Sequence, residues 1–352
     1  MTHSISATMG LDVGDRRSHF CVLDEETGEI LGEGVVKTTR AALRDLLEGL
    51  PAMRVVQETG GHSPWISVLV ESCGHESIVA QASRVRLIYG AHNKCDRVDA
   101  EMLARLGRVD RRLLSPVQHR GEVAQRHRAL LKARDQLVRT RAALVLHCRG
   151  TVKSFGDRLP SCSTKAFHRL AVPHIPEHLR ATLAPILAVL ELTTEQIAQM
   201  DARIRELCAE AYPETARLQQ VPGVGPLTAL CYVLTIEDPG RFAKSREVGA
   251  YVGLVPRRDQ SGDLDKQLRI TKAGDRMLRT LLVQCAHYLV GPFGPDTALR
   301  RWALPRLEAG GASMKKRTVI AVARKLAVLL HRLWRSGAVY EPLRGQPARA
   351  AA

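Results

Sequence analysis

The sequence predicts an α/β unit followed by a mostly helical remainder. Three observations carry this expectation. Strand-length apolar runs punctuated by turn residues fill positions 6–90. Leucine, isoleucine and valine then recur every seven residues through two long stretches between 120 and 211. The charge changes sign between the two parts. Residues 1–100 hold ten Lys/Arg against fourteen Asp/Glu, net −4, and the remainder of the 352-residue chain holds 42 against 22, net +20.

The elements follow in order. Met9 to Val13, Phe20 to Leu23 and Ile30 to Val36 read as an antiparallel meander, with Glu26-Thr27-Gly28 as the second turn. Thr38-Thr39 opens a helix through Leu43, Leu46 and Leu47, and Pro51 ends it. A fourth strand ends at Glu58, Trp65 to Val70 is helical, and Ile78 to Ala80 is a fifth strand. Three antiparallel strands followed by α/β alternation is the ribonuclease-H-like order.

In such an order the first and fourth strands end side by side, and both end here in an acid followed by glycine: Asp12 before Gly14, and Glu58 before Gly60-Gly61. A third acidic element is the stretch Lys94-Cys95-Asp96-Arg97-Val98-Asp99-Ala100, which reads as a helix start. Asp96 and Asp99, three apart, share one helix face. Ionised carboxylates that close repel, and either basic neighbours (Lys94, Arg97) or a bridging cation relieves this. Asp12, Glu58, Asp96 and Asp99 form an all-oxygen donor set, which suits Mg²⁺ or Mn²⁺. Two such ions can clamp a scissile phosphate between attacking and leaving oxygens.

Beyond Pro116 a long basic helix is expected over about 120–153. Val123, Leu130, Leu137 and Leu144 repeat by seven, shadowed by Leu131, Val138, Val145 and Val152. A second long helix over about 177–211 carries Leu183, Leu190, Ile197 and Ile204 at the same spacing, with Pro185 as an expected kink. The two stripes can pair within the chain or between chains, and heptads on both favour a partner subunit. Val221-Pro222-Gly223-Val224-Gly225-Pro226 has the helix-hairpin-helix pattern, whose backbone amides at Gly223 and Gly225 can hold a phosphate at a helix N-terminus. Ser261 follows Pro256-Arg257-Arg258-Asp259-Gln260 and precedes Gly262, with Asp259 expected to pair with Arg257 and Arg258. A serine among Arg257, Arg258, Arg269, Lys272 and Arg279 suits a nucleophile facing a phosphodiester, with the cations binding nucleic acid. Residues 313–334 form a last amphipathic basic helix. The expected organisation is a catalytic unit at 1–110, a long-helix coiled-coil region at 111–212, a serine-bearing unit at 213–340 and a disordered tail at 341–352.

Composition excludes several classes. No apolar window is long enough to span a membrane, and Met1-Thr2-His3-Ser4 lacks the basic and apolar regions of a signal peptide. The eight cysteines show no Cys-x-x-Cys pair and read as reduced cytoplasmic thiols. An acidic catalytic unit joined to a net +20 remainder calls for a polyanionic partner, DNA or RNA.

Taken together, these motifs resemble the insertion-sequence 110 transposases. Asp12, Glu58 and Asp96-x-x-Asp99 look like that family's DEDD site, and Lys94 to Ala100 is close to its Lys-Thr-Asp-x-x-Asp-Ala, with Cys95 in the threonine place. Val221 to Pro226, Tyr251-x-Gly-Leu-x-Pro with Ser261-Gly262, and Ile270-x-Lys-x-Gly with Leu278-Arg279 are similar to its second domain. The resemblance implies a RuvC-like N-terminal domain, Mg²⁺ at the DEDD site, and a covalent phosphoserine to DNA at Ser261. It further implies a non-coding guide RNA that pairs with target and donor DNA. It also implies a homo-oligomer, dimer or tetramer, in which one subunit's acids meet another's serine. Three rivals stand beside it. A sugar-kinase-like ATPase would need further glycine-rich nucleotide turns, which are missing. A non-enzymatic helix-hairpin-helix protein would not need four intact acids. A RuvC-like junction nuclease would act without the serine.

Overall fold

The computed structural model describes residues 5–82, 95–262 and 264–344. Lys94, Asp263 and positions 345–352 of the expected tail lie outside the described residues. The chain divides into two compact units, 1–121 and 122–352.

The first unit is a five-stranded mixed sheet in the order β3-β2-β1-β4-β5. Its strands are β1 (Ala7–Asp12), β2 (Arg17–Asp24), β3 (Ile30–Lys37), β4 (Arg54–Glu58) and β5 (Glu76–Ala80). The first three pair antiparallel, and β4 runs parallel to both β1 and β5. Helix α1 (Arg40–Glu48) is capped by the Thr39 hydroxyl, which accepts from the Ala42 amide at 3.3 Å. Helix α2 (Ser63–Ser72) joins β4 to β5.

Alternation along β1 decides what each face does. Ala7, Met9 and Leu11 point into a core with Leu43, Leu47, Ile66 and Leu69 of α1 and α2. Thr8, Gly10 and Asp12 therefore point the other way. That second face is covered by α3 (Asp96–Val109), whose Ala100, Ala104, Leu103 and Leu106 are buried against Cys21, Leu23, Val56 and Ile78. At the end of the sheet remote from Asp12, Arg54 ties the elements together. Its guanidinium donates to Glu25 at 2.9 Å, Glu76 at 3.0 Å and the Gly107 carbonyl at 3.2 Å.

The second unit is built on two long helices, α4 (Glu122–Ser154) and α6 (Glu177–Glu210), joined through a segment that contains the short α5 (Phe167–Leu170). They pack on each other antiparallel: Arg134 donates to Asp201 at 2.8 Å, and Arg141 lies opposite Thr194. The heptad residues Leu183, Leu190, Ile197 and Ile204 are all buried, as are Leu131, Val145 and Val152 of α4. Val123 is exposed, and Leu130, Leu137, Val138 and Leu144 are half-buried. Of the two pairings the stripes allow, the chain shows the one between its own helices. Pro185 sits inside α6 without interrupting it.

A helical core follows: α7 (Glu214–Leu218), α8 (Pro226–Ile236), α9 (Val248–Tyr251), α10 (Arg276–Val290), α11 (Ala298–Glu308) and α12 (Ala312–Ser336). Helix α8 is buried from Thr228 to Ile236. The fully buried Tyr232 donates its hydroxyl to the Ala327 carbonyl at 2.7 Å, so its one polar atom is satisfied inside an apolar core. The last helix buries Val319, Ala323, Leu326 and Leu330.

The mostly helical reading of this part missed a hairpin, β6 (Pro256–Ser261) and β7 (Leu264–Ile270). Its strands are exposed along nearly their whole length. With no buried face there is no apolar/polar alternation to read, so the sequence carries no strand signal there.

Candidate metal centre and serine hairpin

Three elements converge at the carboxyl end of β1. Asp12 is the last residue of that strand, and Asp96 and Asp99 occupy the first turn of α3, where the positive helix end favours acids. One carboxylate oxygen from each of the three lies within 4.8 Å of the others. Asp12 and Asp99 are half-buried and Asp96 is exposed. Among the described residues this is the one group of three or more acids, histidines or cysteines so arranged.

Glu58 is not in that close group. The strand register nevertheless puts it next to the cluster: Leu11 pairs with Gln57 across the parallel β1–β4 ladder, so Asp12 and Glu58 end neighbouring strands. Gln57 faces α2, where its amide donates to Ser67 at 3.2 Å, so by alternation Glu58 belongs to the α3 side with Asp12.

The donor set fits a hard divalent cation. Three carboxylates at this spacing offer only oxygen ligands, and they repel one another unless a cation compensates them. Of the two basic neighbours in the sequence, Lys94 lies outside the described residues, and the Arg97 guanidinium donates to both oxygens of Glu33, at 2.9 and 3.0 Å.

Two histidines escaped the sequence reading, one beside the cluster and one beside the turn that follows Asp12. His19 stands opposite Asp12 in the β1–β2 register, and its Nε2 is 3.9 Å from Asp96. His62 Nε2 is 3.7 Å from Asp15, in the turn that follows Asp12. The signal available was the tight β1–β2 turn, which returns the chain so that a residue seven positions after Asp12 lies beside it.

Gly10 also went unread. A Cβ built there would lie 2.0 Å from the Ala100 carbonyl oxygen and 2.5 Å from the Ala104 amide nitrogen. Both are backbone atoms, which cannot swing aside. The missing side chain lets α3 lie directly on β1, and this contact sets the reach between Asp12 and the Asp96–Asp99 turn. Gly10→Ala is expected to destabilise the first unit by about 1–3 kcal/mol, the usual cost of overpacking. It is also expected to push the acids apart. Thermal unfolding and Mn²⁺ affinity measured on the same variant check both effects.

The serine lies in the other unit. Ser261 ends β6, exposed, just before the turn at Gly262. It shares its face of the ladder with Arg257, Asp259 and, across the hairpin, Lys266. The expected pairing of Asp259 with Arg258 is not made. Arg258 instead donates to both oxygens of Asp265, at 2.7 and 2.6 Å, and this pair holds the Arg258 guanidinium pKa above and the Asp265 carboxyl below their usual values.

Of the residues read as binding nucleic acid, Gly223 and Gly225 form an exposed turn anchored by buried Val221 and Val224, with Gly225 as the N-cap of α8. Arg269 and Lys272 are exposed at the base of the hairpin. Arg279 does something else. Its guanidinium donates to the carbonyls of Val252 at 3.1 Å and Ala273 at 2.7 Å, and its partial burial lowers its pKa. It clamps two loops whose glycines allow the contact: Gly274, at φ +67°, would drive a Cβ to 2.0 Å from the Tyr251 carbonyl oxygen. The Tyr251-x-Gly and Lys272-x-Gly motifs are therefore two halves of one loop pair that carries the hairpin.

Two family profiles match the chain. A profile of the DEDD transposase domain of IS110 elements matches residues 9–156. A profile described as the transposase IS116/IS110/IS902 family matches residues 215–300. The chain is 29% identical over 330 residues to the transposase for insertion sequence element IS1111A of Coxiella burnetii, covering 92% of this chain and 88% of that protein. It is 29% identical to the transposase for insertion sequence element IS1328 of Yersinia enterocolitica, over 79% of this chain and 82% of that one. It is also similar, at 30% over 152 residues, to the pilin gene-inverting protein of Moraxella bovis, covering 42% of this chain and 46% of that one.

Proposed function

This chain belongs to the IS116/IS110/IS902 family of transposases, and we propose that it cuts and rejoins DNA with a divalent metal at Asp12, Glu58, Asp96 and Asp99 and a serine nucleophile at Ser261. The observation that carries the reading is the convergence of Asp12, Asp96 and Asp99 within 4.8 Å at the end of β1. Mg²⁺ or Mn²⁺ suits those donors, and a metal there supplies Lewis-acid stabilisation of a phosphoryl oxygen. Glu58 completes the set from the neighbouring strand.

Ser261 is the nucleophile in this reading. Its exposure at the tip of a hairpin leaves its hydroxyl open to a phosphodiester, and Arg257 and Lys266 on the same face offer positive charge to the phosphoryl oxygens. In this reading the complete site is assembled in a homo-oligomer, one subunit's acids meeting another's hairpin. A non-coding guide RNA selects the DNA by base pairing, so the protein itself needs only backbone contacts. The exposed Gly223–Gly225 turn, Arg269 and Lys272 provide these.

The test is strand exchange on DNA carrying the element's junctions, with RNA transcribed from the element's own flanks. Exchange that requires Mg²⁺ or Mn²⁺ and the RNA, and that leaves a protein–DNA adduct stable to denaturant, is the expected result. Cleavage without an adduct would leave a metal-only nuclease. Nucleic-acid affinity is expected to fall steeply with salt, by about 10³-fold or more between 50 and 200 mM, because each Lys or Arg contact releases condensed counterions. Filter binding at the two concentrations measures it, and an affinity insensitive to salt would remove the polyanion reading.

A further inference from the structure

We infer that a basic groove in the second unit, apart from the serine hairpin and the Gly223–Gly225 turn, binds an unpaired nucleic-acid strand through its phosphates. The groove lies among α11, α12 and the turn before α9 and encloses about 660 Å³. Its charged lining is wholly cationic: Arg246, Arg324, Lys325, Arg332 and Arg344. Helix α12 supplies three of these at i, i+1 and i+8, on the face opposite the one it buries in the core.

These cations also lack counter-charges. Several other arginines of the unit are paired, Arg128 with Asp275, Arg134 with Asp201, Arg258 with Asp265 and Arg301 with Asp296. Among the described residues none of the five groove cations makes an ion pair. Like charges gathered in one concavity repel, and the field they create there draws in an anion.

Two of the cations are also held in place. The Lys325 ammonium lies 4.6 Å from the centre of the Trp302 ring, and that ring takes the Arg306 guanidinium at 4.2 Å as well. The stem of Arg324 runs over Gly249, where a Cβ would come within 3.0 Å of its Cγ. Long cationic side chains ordered before a ligand arrives lose less entropy when it binds.

Size and lining select the form of the anion. A volume of about 660 Å³ matches a site for a molecule of one or a few residues. The cations surround an apolar floor of Leu299, Val328 and Leu329. A duplex offers this floor nothing, because its bases are stacked inside and only phosphates face outward. An unpaired strand presents phosphates to the cations and base or sugar surface to the floor. The inference rests on nucleic acid being the family's working partner and is independent of the metal and of Ser261.

The test uses the full-length protein and fluorescence anisotropy with three labelled oligonucleotides: unpaired RNA, unpaired DNA of the same sequence, and duplex DNA. Lys325→Gln combined with Arg332→Gln is expected to weaken binding of the unpaired strand about tenfold. The slope of log affinity against log salt should become shallower by about 1.4, from two lost contacts at roughly 0.7 each on a single strand. Duplex binding should stay unchanged. Lys325→Arg with Arg332→Lys keeps the charges and should bind like the native protein, which separates lost contacts from lost structure. Whichever unpaired strand, RNA or DNA, shows the larger loss is the groove's ligand. Unchanged strand affinity and slope in the glutamine variant, an equal loss on duplex, or an equal loss in the charge-keeping variant would overturn the inference. Failure of the metal and serine reading would appear as absent strand exchange and would leave these binding results untouched.

Discussion

Asp99→Asn is expected to lower DNA strand cleavage by a factor of about 10³ or more while leaving the fold intact. The carboxylate is one of three within 4.8 Å of one another, and an amide of the same volume cannot supply the anionic oxygen that a hard cation needs. Losing the metal removes several kcal/mol of charge stabilisation from the transition state, and about 4 kcal/mol corresponds to that factor. Stability without metal should change by less than about 1 kcal/mol, because relief of carboxylate repulsion opposes the loss of an acid from the first turn of α3. Thermal scans with and without Mn²⁺ separate the two effects. The native protein should gain melting temperature with the ion, and the variant should not. A variant that still cleaves at the native rate would remove Asp99 from the chemistry.

Ser261→Ala is expected to abolish strand joining, by roughly 10³-fold or more, and to abolish the covalent protein–DNA adduct entirely. Neither binding nor stability should follow, since Ser261 is exposed and its neighbours in β6 are exposed with it. A serine hydroxyl is a weak nucleophile at neutral pH and needs activation. Its hairpin supplies cations, and of its described carboxylates Asp265 is committed to Arg258 while Asp259 shares the serine's face two residues away. The metal centre of a second subunit is the proposed source of that activation. A mixture of Ser261→Ala with Asp12→Ala protein should therefore regain part of the exchange activity, because some assemblies unite an intact acid site with an intact serine. No recovery would indicate a site built within one chain, and native activity of Ser261→Ala alone would discard the serine.

The first unit was legible because its strands are short apolar runs bounded by turn residues, as in Met9 to Val13. Which face each residue takes emerged only with α1 and α2 on one side of the sheet and α3 on the other. The Asp96–Asp99 spacing could be read from helical geometry alone. What could not be read were close approaches between distant backbones. Gly10 looked like an ordinary strand residue, and only the position of Ala100 and Ala104 shows why no side chain fits there. His19 became a neighbour of the acids through strand register, which depends on the turn rather than on any motif.

In the second unit the heptad stripes correctly located two long helices, yet periodicity is silent on whose helix fills the groove. The buried Leu190 and Ile197, and the Arg134–Asp201 pair between the helices, show that this chain fills its own. The β6–β7 hairpin was invisible for the opposite reason, having no buried face to impose a pattern. Arg279 illustrates a third limit. Beside Lys272 and Arg276 it reads as one more cation for a phosphate, but half-buried and donating to two carbonyls it is part of the scaffold.

The central claim is that Asp12, Asp96 and Asp99, with Glu58 beside them, hold a divalent cation. Titration of the purified protein with Mn²⁺, following the free ion by electron paramagnetic resonance, tests it without any DNA or RNA. The account predicts saturable binding to the native protein and at least a tenfold loss of affinity in each of Asp12→Asn, Asp96→Asn and Asp99→Asn. Binding of equal strength in all three variants, or no saturable binding to the native protein, would contradict it.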